Sequence, residues 1–229
     1  MTTRKLVISG VLGAICIIMG AVPVLGFIPV PTPAGHATIM HVPVILAGIL
    51  EGPAAGAFVG FIFGLFSFLR PGAPFFSDPL IAFLPRILIG VLAFYAYRVT
   101  SHYNARTFLP ALLGLGFAVV GYQAVGSFSG AGQNTILAFV VAVVLGVLAG
   151  YLAFKYLRGR DVSSALAAIV GTLTNTVGVL TLIVWRGYLP GEVALGIGVL
   201  HGIPEVLVAT LVVVLICRPL IAVRKKEVT

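Results

Sequence analysis

Charged side chains are scarce in this sequence. They make up 9% of its 229 residues, whereas 60% of the residues are hydrophobic and the mean hydropathy is +1.17. A soluble protein covers its surface with polar and charged groups, so this composition excludes a soluble fold and predicts a membrane protein. No polar segment is long enough to fold by itself, and we therefore expect one membrane domain over residues 1–229.

Reactive motifs are also lacking. The two cysteines, Cys16 and Cys217, lie in apolar runs and indicate neither a disulfide framework nor a metal cluster. There is no GxxxxGK[ST] phosphate loop, no HExxH pair and no GxSxG serine turn, so the sequence gives no sign of nucleotide hydrolysis or of these hydrolase chemistries. We expect no catalytic residue, no metal and no cofactor in this chain.

The apolar residues that dominate the sequence form eight segments. A helix needs about 20 residues to cross a hydrocarbon layer of about 30 Å. The sequence therefore predicts an all-α, polytopic membrane helix bundle, with a tight turn at Glu51-Gly-Pro53. The segments cover about 6–22, 38–51, 53–69, 80–98, 108–127, 134–157, 163–185 and 195–217.

Basic residues are distributed unequally between the two sides that these segments define. With a cytoplasmic N-terminus, only Arg70 and Arg186 fall outside, and Arg86 lies within a segment. This bias follows the positive-inside rule and predicts that both termini are cytoplasmic. The net charge of +8 is thus an orientation signal, which indicates membrane lipids and no nucleic acid as partners. The inner residues are Arg4, Lys5, Arg98, Arg106, Lys155, Arg158, Arg160, Arg218, Arg224, Lys225 and Lys226.

A proline-rich segment, residues 23–37, follows the first apolar segment. Its prolines at 23, 29, 31 and 33 favour extended, polyproline-like backbone and exclude a continuous helix. An apolar loop of this kind on the outer side needs to be covered by protein or to dip into a cavity. We therefore expect either an outer lid loop or a packed connector.

Arg86 is the most informative residue, because it lies inside an apolar run. A guanidinium at this depth costs a few kcal/mol unless it faces a protein interior, a cavity or a partner. The sequence leaves two partners open. One is an anionic group of a transported molecule, and the other is the carboxylate of Glu205.

Few other polar groups lie in the apolar segments. His201 and Glu205 share one face of the last helix, with Pro204 between them. Asn175 offers donors and an acceptor to a ligand, or it joins helices. His41 directly follows the proline segment, whereas Thr172 alone could simply bond back to the preceding turn.

Small residues recur at four-residue spacing, which lets helix backbones approach closely. For Gly56, Gly60 and Gly64 we predict packing within the bundle. For Gly10 and Ala14, internal packing and a face for a partner protein remain equal alternatives.

Several of these elements, in this order, resemble one family. Residues 28–53, the glycine-striped helix, Asp78-Pro79, Pro85-Arg86, Gly171–Thr176 and Gly202–Glu205 are similar to the S-components of energy-coupling factor (ECF) vitamin transporters, most of all to the pantothenate-type branch. The resemblance implies a prokaryotic, multi-pass plasma-membrane protein that captures a water-soluble vitamin beneath an outer loop. It also implies a coupling membrane protein and two ABC ATPases as partners, which use the ATP.

The resemblance also implies which residues contact the partner and the cargo, and the number of helices differs from that of the family. It implies that Gly10 and Ala14 form the partner interface. S-components usually have six helices, so residues 104–160 are expected to be an inserted helical pair. We expect the vitamin, with pantothenate favoured, to contact Arg86, Asn175, Thr172, His41, His201 and Glu205. A stand-alone secondary transporter of a small organic anion and an intramembrane enzyme are the alternatives.

Overall fold

A computed structural model describes residues 3–32, 35–101, 135–157 and 159–226, and between them residues 109, 111, 113–115 and 118. Four of its helices are long and apolar enough to cross a membrane, namely α1, α5, α7 and α8 as defined here. The prediction of a polytopic bundle of apolar helices is confirmed, although segment 108–127 lies largely outside the described residues. The helices are α1 (Thr3–Ala21), α2 (Pro23–Gly26), α3 (His41–Glu51), α4 (Pro53–Leu69), α5 (Pro79–Thr100), α6 (Thr135–Tyr156), α7 (Arg160–Trp185) and α8 (Gly191–Lys226).

The proline-rich segment contains a β-hairpin. Strands β1 (Phe27–Thr32) and β2 (Gly35–Thr38) pair antiparallel, with Phe27 opposite Thr38. The expected extended backbone is correct for residues 27–32 and 35–38 but wrong for residues 23–26, which form α2. The fold therefore contains a small sheet beside its helices, because prolines are tolerated in a two-stranded sheet whose strands are both edges. Below, the hairpin means residues 27–38, of which 33 and 34 lie outside the described residues.

Helix α3 is too short to cross a membrane alone. Its 11 residues extend about 16 Å, roughly half of a hydrocarbon layer. The chain then reverses at Gly52, whose φ of 100° suits glycine, and Pro53 begins α4.

The glycine stripe of α4 packs against α5. A Cβ on Gly56 would lie 2.8 Å from Gly90, and one on Gly64 would lie 2.9 Å from the carbonyl oxygen of Ala82. Between them, Gly60 lies directly on the carbonyl of Arg86. The prediction of internal packing for this stripe is confirmed, and the stripe fixes the height of Arg86 in the bundle.

The chain divides into two compact units, residues 1–99 with 164–229 and residues 100–163. In the second unit, a Cβ on Gly114 would lie 2.8 Å from the carbonyl oxygen of Gly146, which shows a close approach of two backbones. Many residues of the expected insertion, 104–160, lie outside the described ones. Its helical-pair character and its place in a single membrane domain stay predictions.

Candidate functional site

A cavity of about 500 Å³ opens in the first unit. Four of the six residues that the sequence analysis proposed for substrate binding line it, namely Arg86, Asn175, His201 and Glu205. They come from three helices, α5, α7 and α8. The other lining residues are Gly20, Phe27, Thr38, Met40, Phe63, Phe66, Ser67, Arg70, Gly72, Phe75, Phe76, Thr176, Val179, Leu180, Ile183 and Ile197.

Arg86 is 3% exposed and lies in an aromatic setting. Its guanidinium carbon is 4.7 Å from the ring centre of Phe76 and 5.3 Å from that of Phe63. Nη1 donates a hydrogen bond to the carbonyl oxygen of Ile81 at 2.8 Å. Nε has no hydrogen-bond partner among the described residues. The rings offset part of the cost of burial, but no carboxylate of the described residues lies within 4 Å of the guanidinium.

Glu205 is buried as well, and its two carboxylate oxygens are occupied. Oε1 accepts a hydrogen bond from the backbone N–H of Thr38 at 2.7 Å, and Oε2 accepts one from the hydroxyl of Thr176 at 3.0 Å. Glu205 thereby joins the end of the hairpin to α7 and α8. Arg186 pairs with Asp78 within 4 Å, whereas among the described residues no ion pair within that distance joins Glu205 to Arg86.

Asn175 lines the cavity and carries a buried acceptor without a donor among the described residues. It is 5% exposed, and its Oδ1 has no hydrogen-bond partner in the described part of the chain. Thr176 and Val179 line the cavity from the same helix. A buried amide oxygen without a donor costs about 1–3 kcal/mol, so a bound molecule with an N–H or O–H group at this point would recover that energy.

Thr172 and His41 do not line the cavity but contact each other. The hydroxyl of Thr172 lies 3.0 Å from Nε2 of His41, and it also donates to the carbonyl oxygen of Ala168 at 2.8 Å. Because the hydroxyl proton is used for Ala168, Nε2 of His41 is the donor of this pair. Both side chains are 0% exposed. They hold α3 to α7, and their expected contact with a cargo stays a prediction.

One wall of the cavity comes from the connection between α4 and α5. Phe75 and Phe76 in the 3₁₀ turn Pro74–Ser77 line the cavity. Asp78 follows this turn, and its Oδ1 accepts from the N–H of Leu80 at 2.9 Å, while Oδ2 lies 3.0 Å from Nε of Arg186. This ion pair fixes the wall to the end of α7.

Gly10 and Ala14 lie on the exposed face of α1. A Cβ on Gly10 would meet nothing within 4 Å, whereas one on Gly13 would collide with Ile62. Of the two alternatives for this pair, internal packing does not hold for Gly10. Within the described residues this face is uncovered, and its role as a partner interface stays a prediction.

Sequence reasoning missed several residues of the cavity. Glu205 accepts hydrogen bonds from Thr38 and Thr176, and the guanidinium of Arg86 lies over the ring of Phe76. Arg70 adds a further charged residue to the cavity lining. For α4 the sequence contained a spacing signal, because one face of the helix carries the lining residues Phe63, Phe66, Ser67 and Arg70. No comparable signal exists for Thr38, since its contact with Glu205 spans 167 residues of sequence.

Comparisons with known proteins indicate a family of membrane transporters. The family model described as "ECF transporter, substrate-specific component" matches residues 4–137. A pantothenate transporter of Leuconostoc mesenteroides is 30% identical over 75% of this chain and 92% of its own length. A pantothenic acid transporter of Lactococcus lactis is 29% identical over 67% of this chain and 76% of its own. A biotin transporter of Rhizobium etli is 29% identical over 66% of this chain and 96% of its own length.

The family match covers more than half of the sequence, and the Leuconostoc relative matches three quarters of it. The apolar spanning helices agree with both. This chain belongs to the substrate-specific components of ECF transporters, and it is a multi-pass membrane transport subunit rather than an enzyme.

Proposed function

We propose that this chain is the high-affinity capture subunit for pantothenate in an ECF-type importer of a prokaryotic plasma membrane. The observation that carries the proposal is the buried guanidinium of Arg86, which lines the cavity and lacks an anionic contact among the described residues. Two similar proteins bear pantothenate in their names, and a third bears biotin. Both vitamins carry one carboxylate, the group that such a guanidinium would bind.

The remaining polar groups of the cavity suit the uncharged part of such a molecule, and the choice of pantothenate over biotin rests on the two similar proteins named for it. Pantothenate has two hydroxyl groups and an amide along a flexible chain. The open acceptor of Asn175 suits a hydroxyl or amide donor, and Ser67 and His201 add further polar positions. The volume of about 500 Å³ falls within the range of small-molecule sites, about 300–1,000 Å³. In this proposal Thr172 and His41 support the wall, and Glu205 holds the hairpin over the cargo.

Transport itself would need partner chains. We infer a coupling membrane protein and two ABC ATPases as those partners, with ATP used by the ATPases and no cofactor in this chain. The exposed face of α1 with Gly10 and Ala14 supports a docking role, because small residues let a second helix approach closely. The positive-inside distribution supports cytoplasmic termini, which would place the cavity on the outer side.

Calorimetry on the purified chain in neutral lipid nanodiscs tests the cargo. Pantothenate should give saturable binding to one site, and biotin should bind more weakly. Saturable binding of biotin without binding of pantothenate would replace the cargo and leave the family intact.

Reconstitution tests the partners. Uptake of pantothenate into proteoliposomes should require the coupling protein, both ATPases and ATP. Uptake by this chain alone, driven by an ion gradient, would show a stand-alone secondary transporter instead.

A further inference from the structure

Two arginines lie at the end of the first unit where α4 ends and α7 ends, and they differ in their contacts. Arg186 pairs with Asp78 at 3.0 Å and stacks near the ring of Trp185 at 5.5 Å. Arg70 is exposed, and its side chain has no ion pair or hydrogen bond among the residues that the structure describes. Of the two, Arg70 lines the cavity and Arg186 does not.

Arg70 is connected to Arg86 by one face of α4. Phe63, Phe66, Ser67 and Arg70 all line the cavity and are spaced three, four and seven residues from the first. Phe63 contacts the guanidinium of Arg86. Seven residues of helix extend about 10 Å, so Arg70 ends a cavity wall that begins beside Arg86.

The distribution of basic residues in the sequence also sets Arg70 apart. The positive-inside rule disfavours basic residues on the outer side, and only Arg70 and Arg186 occur there in the predicted orientation. Arg186 is accounted for by its ion pair with Asp78. No contact within the described chain accounts for Arg70.

We propose that Arg70 is the outer recognition residue for the anionic cargo, which attracts the carboxylate to the cavity mouth before Arg86 binds it. The proposal rests on the proposed function, because it needs a cargo with negative charge. A cleft with low-dielectric walls concentrates the field of its charges, and such a field raises association rates. Arg70 is exposed, so its contribution is to association and is screened by salt, whereas Arg86 is buried and governs dissociation.

Stopped-flow kinetics of pantothenate binding to the full chain in neutral nanodiscs tests this role. The variant R70Q removes the positive charge, and R70K keeps it. The control variant R98Q removes a positive charge in the last turn of α5, away from the cavity. Each is measured at about 20 mM and about 500 mM salt, where the screening lengths differ several-fold. The alcohol analogue pantothenol, which lacks the carboxylate, is the neutral control ligand.

We expect R70Q to lower the association rate constant of pantothenate about threefold to tenfold at low salt. The loss should shrink at high salt, the dissociation rate constant should stay unchanged, and pantothenol should associate equally with both proteins. R70K and R98Q should associate like the wild type.

An unchanged association rate in R70Q, or an equal loss for pantothenol, would overturn the role of Arg70. Binding of pantothenate or biotin by the wild-type chain establishes the proposed function separately. If only biotin binds, the same variants are measured with biotin, and the inference about Arg70 is decided in the same way.

Discussion

Ile81 and Pro85 stand four residues apart in α5, so the carbonyl oxygen of Ile81 faces a residue that has no N–H to donate. Arg86 supplies the missing donor, because its Nη1 lies 2.8 Å from this oxygen. The dipeptide Pro85-Arg86 thus creates an open acceptor and a cation that binds it. Nη1 is held by this hydrogen bond, while Nε is buried without a partner among the described residues.

Replacing Pro85 with alanine should weaken pantothenate binding. The new N–H would take the carbonyl of Ile81, and the guanidinium would lose its orientation at a cost of about 1 kcal/mol, roughly fivefold in affinity. Calorimetry measures the change. The matched control is P219A, which removes a proline inside α8 that does not line the cavity. Equal affinity of P85A and the wild type would show that the proline does not position Arg86.

Replacing Gly60 with alanine should separate α4 from α5. The new methyl group would collide with the backbone carbonyl of Arg86, and such overpacking costs about 1–3 kcal/mol. We expect a lower melting temperature and weaker pantothenate binding. The control G196A lies in α8 where a Cβ meets nothing within 4 Å, and it should melt at the same temperature as the wild type or higher. Similar melting temperatures for G60A and G196A would contradict the close packing.

Replacing Thr172 with valine should destabilise the protein. Valine keeps the shape but leaves the Nε2 donor of His41 buried without an acceptor, which costs about 1–3 kcal/mol. The control is T174V, because Thr174 bonds back to Val170 at 2.7 Å in a more exposed position, and its loss should cost less than about 0.5 kcal/mol. Thermal unfolding measures both. If T172V loses pantothenate affinity without losing stability, Thr172 contacts the cargo directly.

Glu205 variants separate hydrogen bonding from charge. In E205A, Thr38 and Thr176 both lose their acceptor, so the N–H of Thr38 should exchange its hydrogen faster and pantothenate should dissociate faster. In E205Q, the amide oxygen can accept from Thr38 and the amide group can donate to Thr176. We therefore expect a smaller loss of affinity in E205Q than the about tenfold loss in E205A. Equal losses would show that the charge of Glu205, and not its hydrogen bonds, serves binding.

The sequence predicted the long helices among the described residues and four residues of the cavity, while segment 108–127 stays a prediction. Apolar length and the turn at Gly52 predicted α3 and α4, and the cost of a buried charge identified Arg86 and Glu205. Each of these charges directly follows a proline inside a helix, at Pro85 and Pro204. This pattern is visible without a structure, because proline frees a carbonyl where a polar side chain is then useful.

Contacts between residues far apart in the chain could not be predicted from the sequence. Glu205 was expected either to neutralise Arg86 or to contact the cargo. In the described part of the chain it forms no ion pair with Arg86, and its oxygens accept from Thr38 and Thr176, while its contact with the cargo stays a prediction. The hairpin was expected as polyproline-like backbone, because strand pairing of residues 27–32 with 35–38 depends on register rather than on local preference. His41 and Thr172 were each considered alone, since nothing local indicates that α3 meets α7 at their hydrogen bond.

Binding of the cargo carboxylate by Arg86 can be measured separately from all other contacts, by changing the protein and the ligand in one double cycle. Calorimetry is performed on the wild type and R86Q, each with pantothenate and with pantothenol. We predict that R86Q weakens pantothenate binding about 10- to 100-fold and changes pantothenol binding little. Equal weakening of both ligands, or no weakening of pantothenate, would contradict this role of Arg86.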